Sequence, residues 1–530
     1  VRSRRQRQMC IRDRLNIIEE VFQSQNLIGL KSEFLSVNVN GEQHEMFFQE
    51  DFDKRIIESN SNREGIIFTF SKESEIEYNP SDVKSSILTQ SINDKINQWK
   101  EGNLNTECIV DVVKWGKFLA INELLNTSKI PNLSIAYYLN PVSNLIEPFL
   151  FLSNKSNVDN FASKLTVDST LAAFKALSSV ELVQIKKVIS DHKLAAYATS
   201  TSIYNNDIKP IKLNSCYSTV EFEKFFSEVD GVVTLKQQKN TINAPVIIPA
   251  GLKVQFNAGD EINITEKGFI LSFSPVKMTG TESNPITITS SDSSGNGFHI
   301  ISARVNSELS YVNFNGLSNL NYQSWKLPSA VTFYESPVNI NHCTFKNNHC
   351  EDAINIFRST PYRFENSIIS NTFSDAFDAD FSNGVIRNSK IINSGNDGVD
   401  ISGSEITIEN TQFINIEDKA LSAGENSSMK VDSISIDGAA LAIVAKDLSS
   451  VKISNSVITN SQVVYCAFQK KKEFGPSRIT AEKVEFSNFK EENLIEEKSR
   501  LKIDGEKIHN YRDDVKKYLY GNEYGKKTVK

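Results

Sequence analysis

Several features that mark common protein classes are missing from this 530-residue sequence. No apolar run approaches the ~20 residues of a membrane-spanning helix, so the visible chain predicts no membrane span. The 58 Lys and Arg residues are outnumbered by 65 Asp and Glu, and the net charge is -7. Because the basic residues form no single stripe, a nucleic-acid partner is not expected.

Cysteine is scarce and scattered along the chain. Its six copies stand at positions 10, 108, 216, 343, 350 and 466, without a CxxC pair. Closely spaced pairs are typical of zinc sites, and dense cysteine is typical of disulfide frameworks. The spacing therefore argues against both kinds of site.

The first fourteen residues have few apolar side chains and six arginines. This run, residues 1–14, resembles translated sequencing-adaptor read-through. A basic targeting segment is the rival interpretation, but transit peptides usually form an amphipathic helix. We expect an artefact here and leave the run out of the fold argument, with the true N-terminus and any signal peptide missing.

The main positive feature is a repeat of about 22 residues, which lies between positions 340 and 460. Each copy carries an aspartate before an alternating apolar run, and these aspartates lie 23, 22 and 21 residues apart: Asp352, Asp375, Asp397 and Asp418. A fainter fifth copy follows at Asp437-Gly438-Ala439. One coil of a stacked sheet solenoid takes about this many residues.

A second ladder has the same period. Asn366, Asn388 and Asn410 are 22 residues apart, and Asn455 follows 45 residues later, a distance of two coils. Stacked asparagines in turns can hydrogen-bond to one another, so we expect these residues to be structural. Two ladders with one period predict a mainly β protein built on a parallel β-helix.

The predicted organisation has five parts. The adaptor-like run covers residues 1–14, a mixed helix and strand region covers 15–155, and a helical segment with a polar linker covers 156–229. Short β runs then predict the solenoid over 230–489, and a charged tail or cap covers 490–530. In the first region, Asn40-Gly41 after an alternating run predicts a β-hairpin, and apolar spacing predicts a helix over 110–125.

Strand parity sorts the acidic residues of the repeat. Asp378 and Asp400 are expected side by side on the outward face about 4.8 Å apart, with Asp380 about 7 Å along the strand. The same strand parity places Asn355 and Leu421 at the equivalent outward positions of the neighbouring strands, in one column with Asp378 and Asp400. Like charges this close repel by roughly 1 kcal/mol in water and about 3 at a partly buried surface, so a cation, a basic side chain or a raised pKa should offset them.

The outward trio Asp378, Asp380 and Asp400 is therefore the predicted catalytic set, with an ordinary solvated polar face as the alternative. The first aspartate of each copy is expected to cap a turn instead. Oxygen-rich acidic ladders can also hold Ca²⁺, which is the candidate cofactor. Predicted substrate-binding residues are Asn355, Asp397, Asp418, Lys419, Glu425, Lys446 and Lys470.

The segment Asn396-Asp397-Gly398-Val399-Asp400, with Ile408-Glu409-Asn410, resembles the right-handed parallel β-helix group that includes pectin lyases and polygalacturonases. This resemblance implies polysaccharide as the partner. Asn396-Asp397 and Glu417-Asp418 partly match two polygalacturonase rows, while the histidine row is missing at Ile436–Ala439 and Lys470–Lys472 only loosely matches the basic row. A lyase or epimerase would instead use a base such as Lys419, Lys446 or Lys470, with Arg358 beside a uronate.

Residues 34–70 and 105–154 resemble the CotH family of atypical, usually extracytoplasmic protein kinases. The resemblance rests on Val39-Asn40-Gly41, Gln49-Glu50, Lys54, Arg63–Phe68, Trp115–Leu125, Tyr137–Pro141 and Leu145–Pro148. Ile130, Ser134 and Leu152 stand where the family has polar or metal-binding residues. Because phosphoryl transfer needs carboxylates for Mg²⁺ and the nucleophile, the resemblance implies a degenerate, scaffolding kinase-like domain.

Three functions remain open from the sequence. The preferred one is a secreted or cell-surface β-helix protein that binds an acidic or neutral polysaccharide. The second is a polysaccharide hydrolase or lyase that acts at the outward aspartates. The third and weakest is protein phosphorylation by the N-terminal region.

Overall fold

The computed structural model describes residues 15–29, 31–49, 54–71, 75–78, 86–130, 133–152, 160–166, 175, 177, 179–191, 216 and 220–520. These residues form two compact units, residues 1–216 and 217–530. The adaptor-like run, residues 199–207 within the predicted helical segment and linker, and the last ten residues lie outside the described part. No described helix has the length and apolar character needed to cross a membrane.

The first unit combines helices with two small sheets. Strands β1 and β2 pair as a hairpin through Asn40 and Gly41, which both have positive φ, as the sequence predicted. A second sheet has the order β4-β3-β5-β6. The helices are α1 (residues 15–24), α2 (Lys54–Ser59), α3 (Ser86–Lys100), α4 (Val112–Leu125), α5 (Asn160–Thr166) and α6 (Ser179–Asp191), and the strands are β1 (Ser32–Val39), β2 (Glu42–Gln49), β3 (Ile66–Phe70), β4 (Ile76–Tyr78), β5 (Leu133–Asn140) and β6 (Leu145–Leu152).

Helix α4 is the predicted helix over residues 110–125. Asp111 caps its start by accepting hydrogen bonds from the backbone N–H groups of Val113 and Lys114. The buried Lys114 ammonium binds Glu147 of β6 at 2.8 Å, and the Asn140 side chain donates to the same Glu147 oxygen at 2.7 Å. This buried polar network ties the helix to the sheet.

A disulfide joins Cys108 and Cys216 within the first unit. The scattered cysteine pattern did not indicate this bond, because its partners are 108 residues apart in the sequence. Cys343, Cys350 and Cys466 are free and buried in the second unit.

The second unit is a β-solenoid of about 12 turns with coils of about 23 residues. Each strand pairs in parallel with the third strand after it along most of the solenoid, as β24–β27, β25–β28 and β26–β29 show. A turn therefore contributes three strands, and the fold class predicted from the repeat is confirmed.

The solenoid begins with helix α7 (Val220–Phe225), and a short helix α8 (Val515–Leu519) follows the last strand. Its strands are β7 (Phe226–Val229), β8 (Val232–Leu235), β9 (Lys239–Ile242), β10 (Pro245–Ile248), β11 (Lys253–Asn257), β12 (Glu261–Ile264), β13 (Phe269–Ser272), β14 (Val276–Thr279), β15 (Ile286–Thr289), β16 (Phe298–Ile301), β17 (Ser307–Ser310), β18 (Val312–Asn315), β19 (Asn321–Tyr322), β20 (Trp325–Lys326), β21 (Ser329–Tyr334), β22 (Val338–Asn341), β23 (Thr344–Lys346), β24 (Asp352–Phe357), β25 (Tyr362–Glu365), β26 (Ile368–Thr372), β27 (Asp375–Asp380), β28 (Asn383–Arg387), β29 (Lys390–Ser394), β30 (Val399–Ser402), β31 (Glu405–Glu409), β32 (Gln412–Gly424), β33 (Ser428–Asp432), β34 (Ser435–Lys446), β35 (Ser450–Phe468), β36 (Arg478–Ser487), β37 (Glu491–Glu496), β38 (Arg500–Ile503), β39 (Glu506–Ile508) and β40 (Tyr511–Arg512). Strands thus continue beyond residue 489.

Stacked apolar side chains fill the solenoid interior. Ile354, Phe377, Val399, Leu421 and Ile443 form one buried column on adjacent strands. Burial of this kind contributes roughly 25 cal/mol for each Å² of apolar surface removed from water. The same alternation that fills the interior places every second side chain on the outer face of the sheet.

Asparagine side chains stack at positions of positive φ, chiefly in a column that the sequence pattern did not single out. Asn347, Asn371, Asn393 and Asn415 each donate from Nδ2 to Oδ1 of the asparagine one coil before. The predicted Asn366, Asn388, Asn410 and Asn455 also have positive φ. Of these, Asn366 bonds to Asn341 and Asn455 to Asp432. Both columns are structural.

Candidate functional site

Asp378 and Asp400 lie directly opposite each other on the neighbouring strands β27 and β30. Asp378 Oδ2 accepts a hydrogen bond from Asn355 Nδ2 at 2.8 Å, one strand earlier in the stack. Asp380 lies two residues farther along β27, opposite Ser402. The outward trio predicted from strand parity is therefore brought together.

The next position in this column is Ser422, which pairs with Asp400. Strand parity predicted Leu421 at this position, and that assignment was wrong by one residue. Strand β32 stays in register with the preceding coil at a constant spacing of 22 residues, since Ser394 pairs with Ile416 and Val399 with Leu421. Leu421 therefore joins the interior and Ser422 faces outward, whereas the prediction had used the 21-residue spacing between Asp397 and Asp418. The fainter fifth copy does not continue the column, because Asp437 pairs with Ile414 and is exposed on another part of the coil.

Two aspartates that were expected to be turn caps also belong to this surface. Carboxylate oxygens of Asp375, Asp397 and Asp400 all lie within 4.8 Å of one another. Asp375 does accept the backbone N–H of Asp397, at 2.8 Å, as a cap would. Asp375 therefore both caps the backbone and lies in the acidic cluster, where the sequence analysis had not placed it.

Two buried lysines neutralise part of this acidic surface. Lys419 Nζ donates to both carboxylate oxygens of Asp397, at 3.0 and 3.1 Å, and to Asp418 at 2.7 Å. Lys446 Nζ lies 3.5 Å from Asp400 Oδ1. That oxygen and the buried Ser422 hydroxyl make no hydrogen bond with any residue that the structure describes.

Burial and crowding shift the proton equilibria of this surface. Burial, with smaller contributions from Asp380 and Asp352, raises the pKa of Asp378 well above its ordinary range. Burial, helped by Asp397 and Asp400, raises the pKa of Asp375 to about 7. The pKa of Asp397 is also raised by burial, although Lys419 opposes that rise. The surface therefore combines carboxyl groups of raised pKa with buried lysine ammonium groups.

A preformed calcium site does not fit these contacts. Three carboxylates close together are suitable oxygen ligands in principle. However, Lys419 already binds both oxygens of Asp397, and Lys446 lies beside Asp400. A Ca²⁺ ion would have to displace or approach these ammonium groups, so no step is assigned to a metal.

Solvent reaches this face at two adjacent strands. In the outward column, Asp378 and Asp400 are half-exposed, whereas the neighbours on both sides, Asn355 and Ser422, are buried. A second column lies two residues farther along the same strands and has the same pattern. Its middle residues, Asp380 and Ser402, are half-exposed, whereas Phe357 of β24 and Gly424 of β32 are buried. The open part of the described sheet face is thus about two strands wide.

The C-terminal helix accounts for burial on one side. Val515 and Leu519 of α8 pack with Val444, Cys466 and Leu494, which continue the outward column beyond Ser422. Tyr520 follows the helix, and burial raises its pKa while Lys419 and Lys446 act in the opposite direction. This contribution from the chain end carried no recognisable sequence signal.

The remaining predicted binding residues lie at the edge of the surface. Lys470 Nζ is 5.7 Å from the Tyr520 ring centre, and the charge of Lys446 lowers the Lys470 pKa. Glu425 binds Lys471 at 2.8 Å. Arg358 contacts Glu335 at 3.4 Å. The predicted residues at the centre of the site are Asp378, Asp380, Asp400, Asn355, Asp397, Asp418, Lys419 and Lys446.

A family model described as a right-handed β-helix region matches residues 352–489. The solenoid strands that carry the acidic surface are therefore those of a right-handed β-helix. The match lies wholly in the second unit, so it gives no support to the kinase-like resemblance, which stays a prediction. No curated protein matches the sequence significantly.

Among solved structures, the chain is similar to the periplasmic alginate epimerase AlgG, with 12% identity and a TM-score of 0.28 over 50% of this chain and 80% of that chain. It is also similar to the catalytic domain of a GH87 alpha-1,3-glucanase in complex with nigerose, with 14% identity and a TM-score of 0.26 over 50% of this chain and 64% of that chain.

Proposed function

We propose that the solenoid is a polysaccharide hydrolase whose reacting groups are Asp378 and Asp400. The observation that carries the proposal is their position, directly opposite each other on β27 and β30 where the sheet face is open to solvent. Hydrolysis of a glycosidic bond commonly uses two carboxyl groups, one as acid and one as nucleophile or base.

Asp378 supplies the acid in this proposal. Its pKa is raised by burial and by neighbouring carboxylates, which favours the protonated form that a general acid needs. Asn355 donates to Asp378 Oδ2 and so leaves the other carboxyl oxygen to present the proton to the leaving sugar oxygen.

Asp400 supplies the second carboxyl group. Lys446 forms an ion pair with its Oδ1 atom, which is buried. Because the side chain as a whole is half-exposed, Oδ2 is the oxygen that attacks the sugar or orients a water molecule. Lys419, bound to Asp397 and Asp418, limits the negative charge around it.

A lyase is the second candidate, because of one specific observation. The charge of Lys446 lowers the pKa of Lys470, which makes Lys470 a better base at neutral pH. Tyr520 lies beside it. Abstraction of a proton next to a uronate carboxyl group would use these residues and yield an unsaturated sugar.

A panel of acidic and neutral polysaccharides separates these functions. Hydrolysis releases new reducing ends without ultraviolet-absorbing products, whereas a lyase releases both. Binding without either product would contradict the hydrolase and support the preferred function from sequence analysis, a glycan-binding protein. Because a disulfide favours an oxidising compartment, we propose an extracellular or cell-surface location.

The weakest alternative, protein phosphorylation by the first unit, has its own test. Leu152 lies in β6 opposite Leu133, where the kinase-like resemblance would need a metal-binding aspartate. We expect no transfer of radiolabelled phosphate with Mg²⁺ or Mn²⁺. Robust transfer would contradict the assignment of a degenerate domain.

A further inference from the structure

Two phenylalanines flank the acidic site on the β27 coil. Phe373 precedes Asp375 by two residues and is 66% exposed. Phe381 directly follows Asp380 and is half-exposed. The strand between them carries Asp378.

Each phenylalanine lies next to a glycine one coil later. A Cβ atom at Gly395 would overlap the Phe373 carbonyl oxygen, and one at Gly403 would overlap the Phe381 ring. Both glycines stand 22 residues after their phenylalanine. On the coil that carries Asp400, the two positions beside these phenylalanines, Gly395 and Gly403, therefore have no side chain that could cover the open face.

The burial pattern fixes the direction in which this face is open. Along the solenoid axis, it is bounded by the buried Asn355 on one side and the buried Ser422 on the other. Three strand spacings separate these two residues, a distance of roughly 14 Å. Along the β27 coil, by contrast, Phe373, Asp375, Asp378, Asp380 and Phe381 are exposed or half-exposed, with buried residues between them.

We propose that the glycan lies across the solenoid, along β27 and β30, on a path from Phe373 to Phe381 that we call the crossing track. One sugar ring stacks on Phe373, and the glycan leaves the site past Phe381. This proposal rests on the proposed hydrolase function. The two phenylalanines are eight residues apart, so the track is at most roughly 26 Å long. The apolar face of a sugar ring and an exposed aromatic ring bury each other from water, as aromatic groups do at other interfaces.

The experiment measures KM and kcat of Phe373→Ala on a polysaccharide that the wild-type chain hydrolyses. We expect KM to rise about tenfold, with kcat changed less than about twofold, because stacking binds substrate without contacting the reacting bond. Phe373→Trp should restore the wild-type KM. Phe489→Ala, a matched control at a phenylalanine 40% exposed after β36, should leave both constants unchanged.

The possible outcomes are distinct. An unchanged KM in Phe373→Ala overturns the crossing track and leaves the hydrolase proposal intact. A loss of kcat alone also overturns it, since that result would place Phe373 in the chemistry. If the wild-type chain cleaves no polysaccharide, the hydrolase and the track are both contradicted.

Discussion

Lys419 donates two hydrogen bonds from its ammonium group to the carboxylate of Asp397, one coil earlier in the solenoid. Both side chains are buried, with exposed fractions of 9% and 2%. The backbone N–H of Lys419 also donates to Asp397 Oδ1, at 3.1 Å. This pair links two coils at the base of the acidic surface, so it has both a structural and an electrostatic role.

Replacement of this lysine should destabilise the solenoid. Lys419→Met leaves Asp397 buried without its main positive partner, which typically costs about 3–5 kcal/mol. We expect the free energy of unfolding from urea titration to fall by about this amount. Lys430→Met is the matched control, because its pair with Glu405 is exposed and should contribute less than about 1 kcal/mol. Equal effects of the two variants would contradict the account.

Asp375 should make stability decrease as pH rises. Its carboxyl pKa is raised from 3.8 to about 7 in the folded chain, so its contribution is fully present below 3.8 and is lost as pH rises to about 7. Asp375→Asn should therefore weaken the fall in unfolding free energy between about pH 4 and about pH 7. Urea titrations at both pH values measure this change.

Asp432 provides a control of opposite sign. Hydrogen bonds from Ser454, Asn455 and Ser433 lower its pKa, so it contributes stability above its unfolded pKa and loses it as pH falls. Asp432→Asn should lower stability at neutral pH and should not reproduce the Asp375→Asn profile. If the two variants changed stability with pH in the same direction, the opposite pKa shifts of Asp375 and Asp432 would be contradicted.

The period of about 22 residues was sufficient to predict the β-solenoid and the adjacency of Asp378 and Asp400. Parity counting failed one coil later, because it aligned Asp397 with Asp418, 21 residues on, whereas the strands pair at a spacing of 22 residues. Asp375 was missed as a site residue because its position in the repeat suggested a cap alone. Its fixed spacing of 22 residues from Asp397 was the available signal.

Other parts of the site depend on contacts between distant segments. Helix α8 covers Val444 and Cys466 through Val515 and Leu519, and no local pattern connects these residues. The disulfide between Cys108 and Cys216 is likewise a product of tertiary structure. Periodicity predicts which residues stack, whereas burial of a surface depends on what else packs on it.

Removal of divalent cations should leave polysaccharide cleavage almost unchanged. Lys419 and Lys446 already supply positive charge to Asp397 and Asp400, so a metal is not needed to offset their repulsion. We expect a chelator to alter kcat by less than about twofold. A large loss that Ca²⁺ restores would show that an ion replaces or supplements the lysines.

Reduction of the disulfide should affect the first unit alone. Cys108 and Cys216 both belong to that unit, and loss of such a bond typically costs about 2–4 kcal/mol. A Cys108→Ser/Cys216→Ser double variant should lower the unfolding midpoint of the first unit, with polysaccharide cleavage by the solenoid preserved. Cys343→Ser is a control that should leave the unfolding midpoint of the first unit unchanged. Cys343 is a free cysteine of the second unit, and burial raises the pKa of its thiol to about 12, which makes the thiol unreactive. Loss of cleavage in the double variant alone would contradict the independence of the two units.

The most direct test of the account is release of reducing ends from a polysaccharide by the wild-type chain, Asp400→Asn and Asp437→Asn. Asp437 is exposed on another part of the coil, where it accepts hydrogen bonds from Thr459 and Asn460. We predict cleavage by the wild type and Asp437→Asn, and a loss of about a thousandfold in kcat for Asp400→Asn. Wild-type levels of cleavage by Asp400→Asn, or no cleavage of any polysaccharide by the wild-type chain, would contradict the assignment of this surface as a hydrolase site.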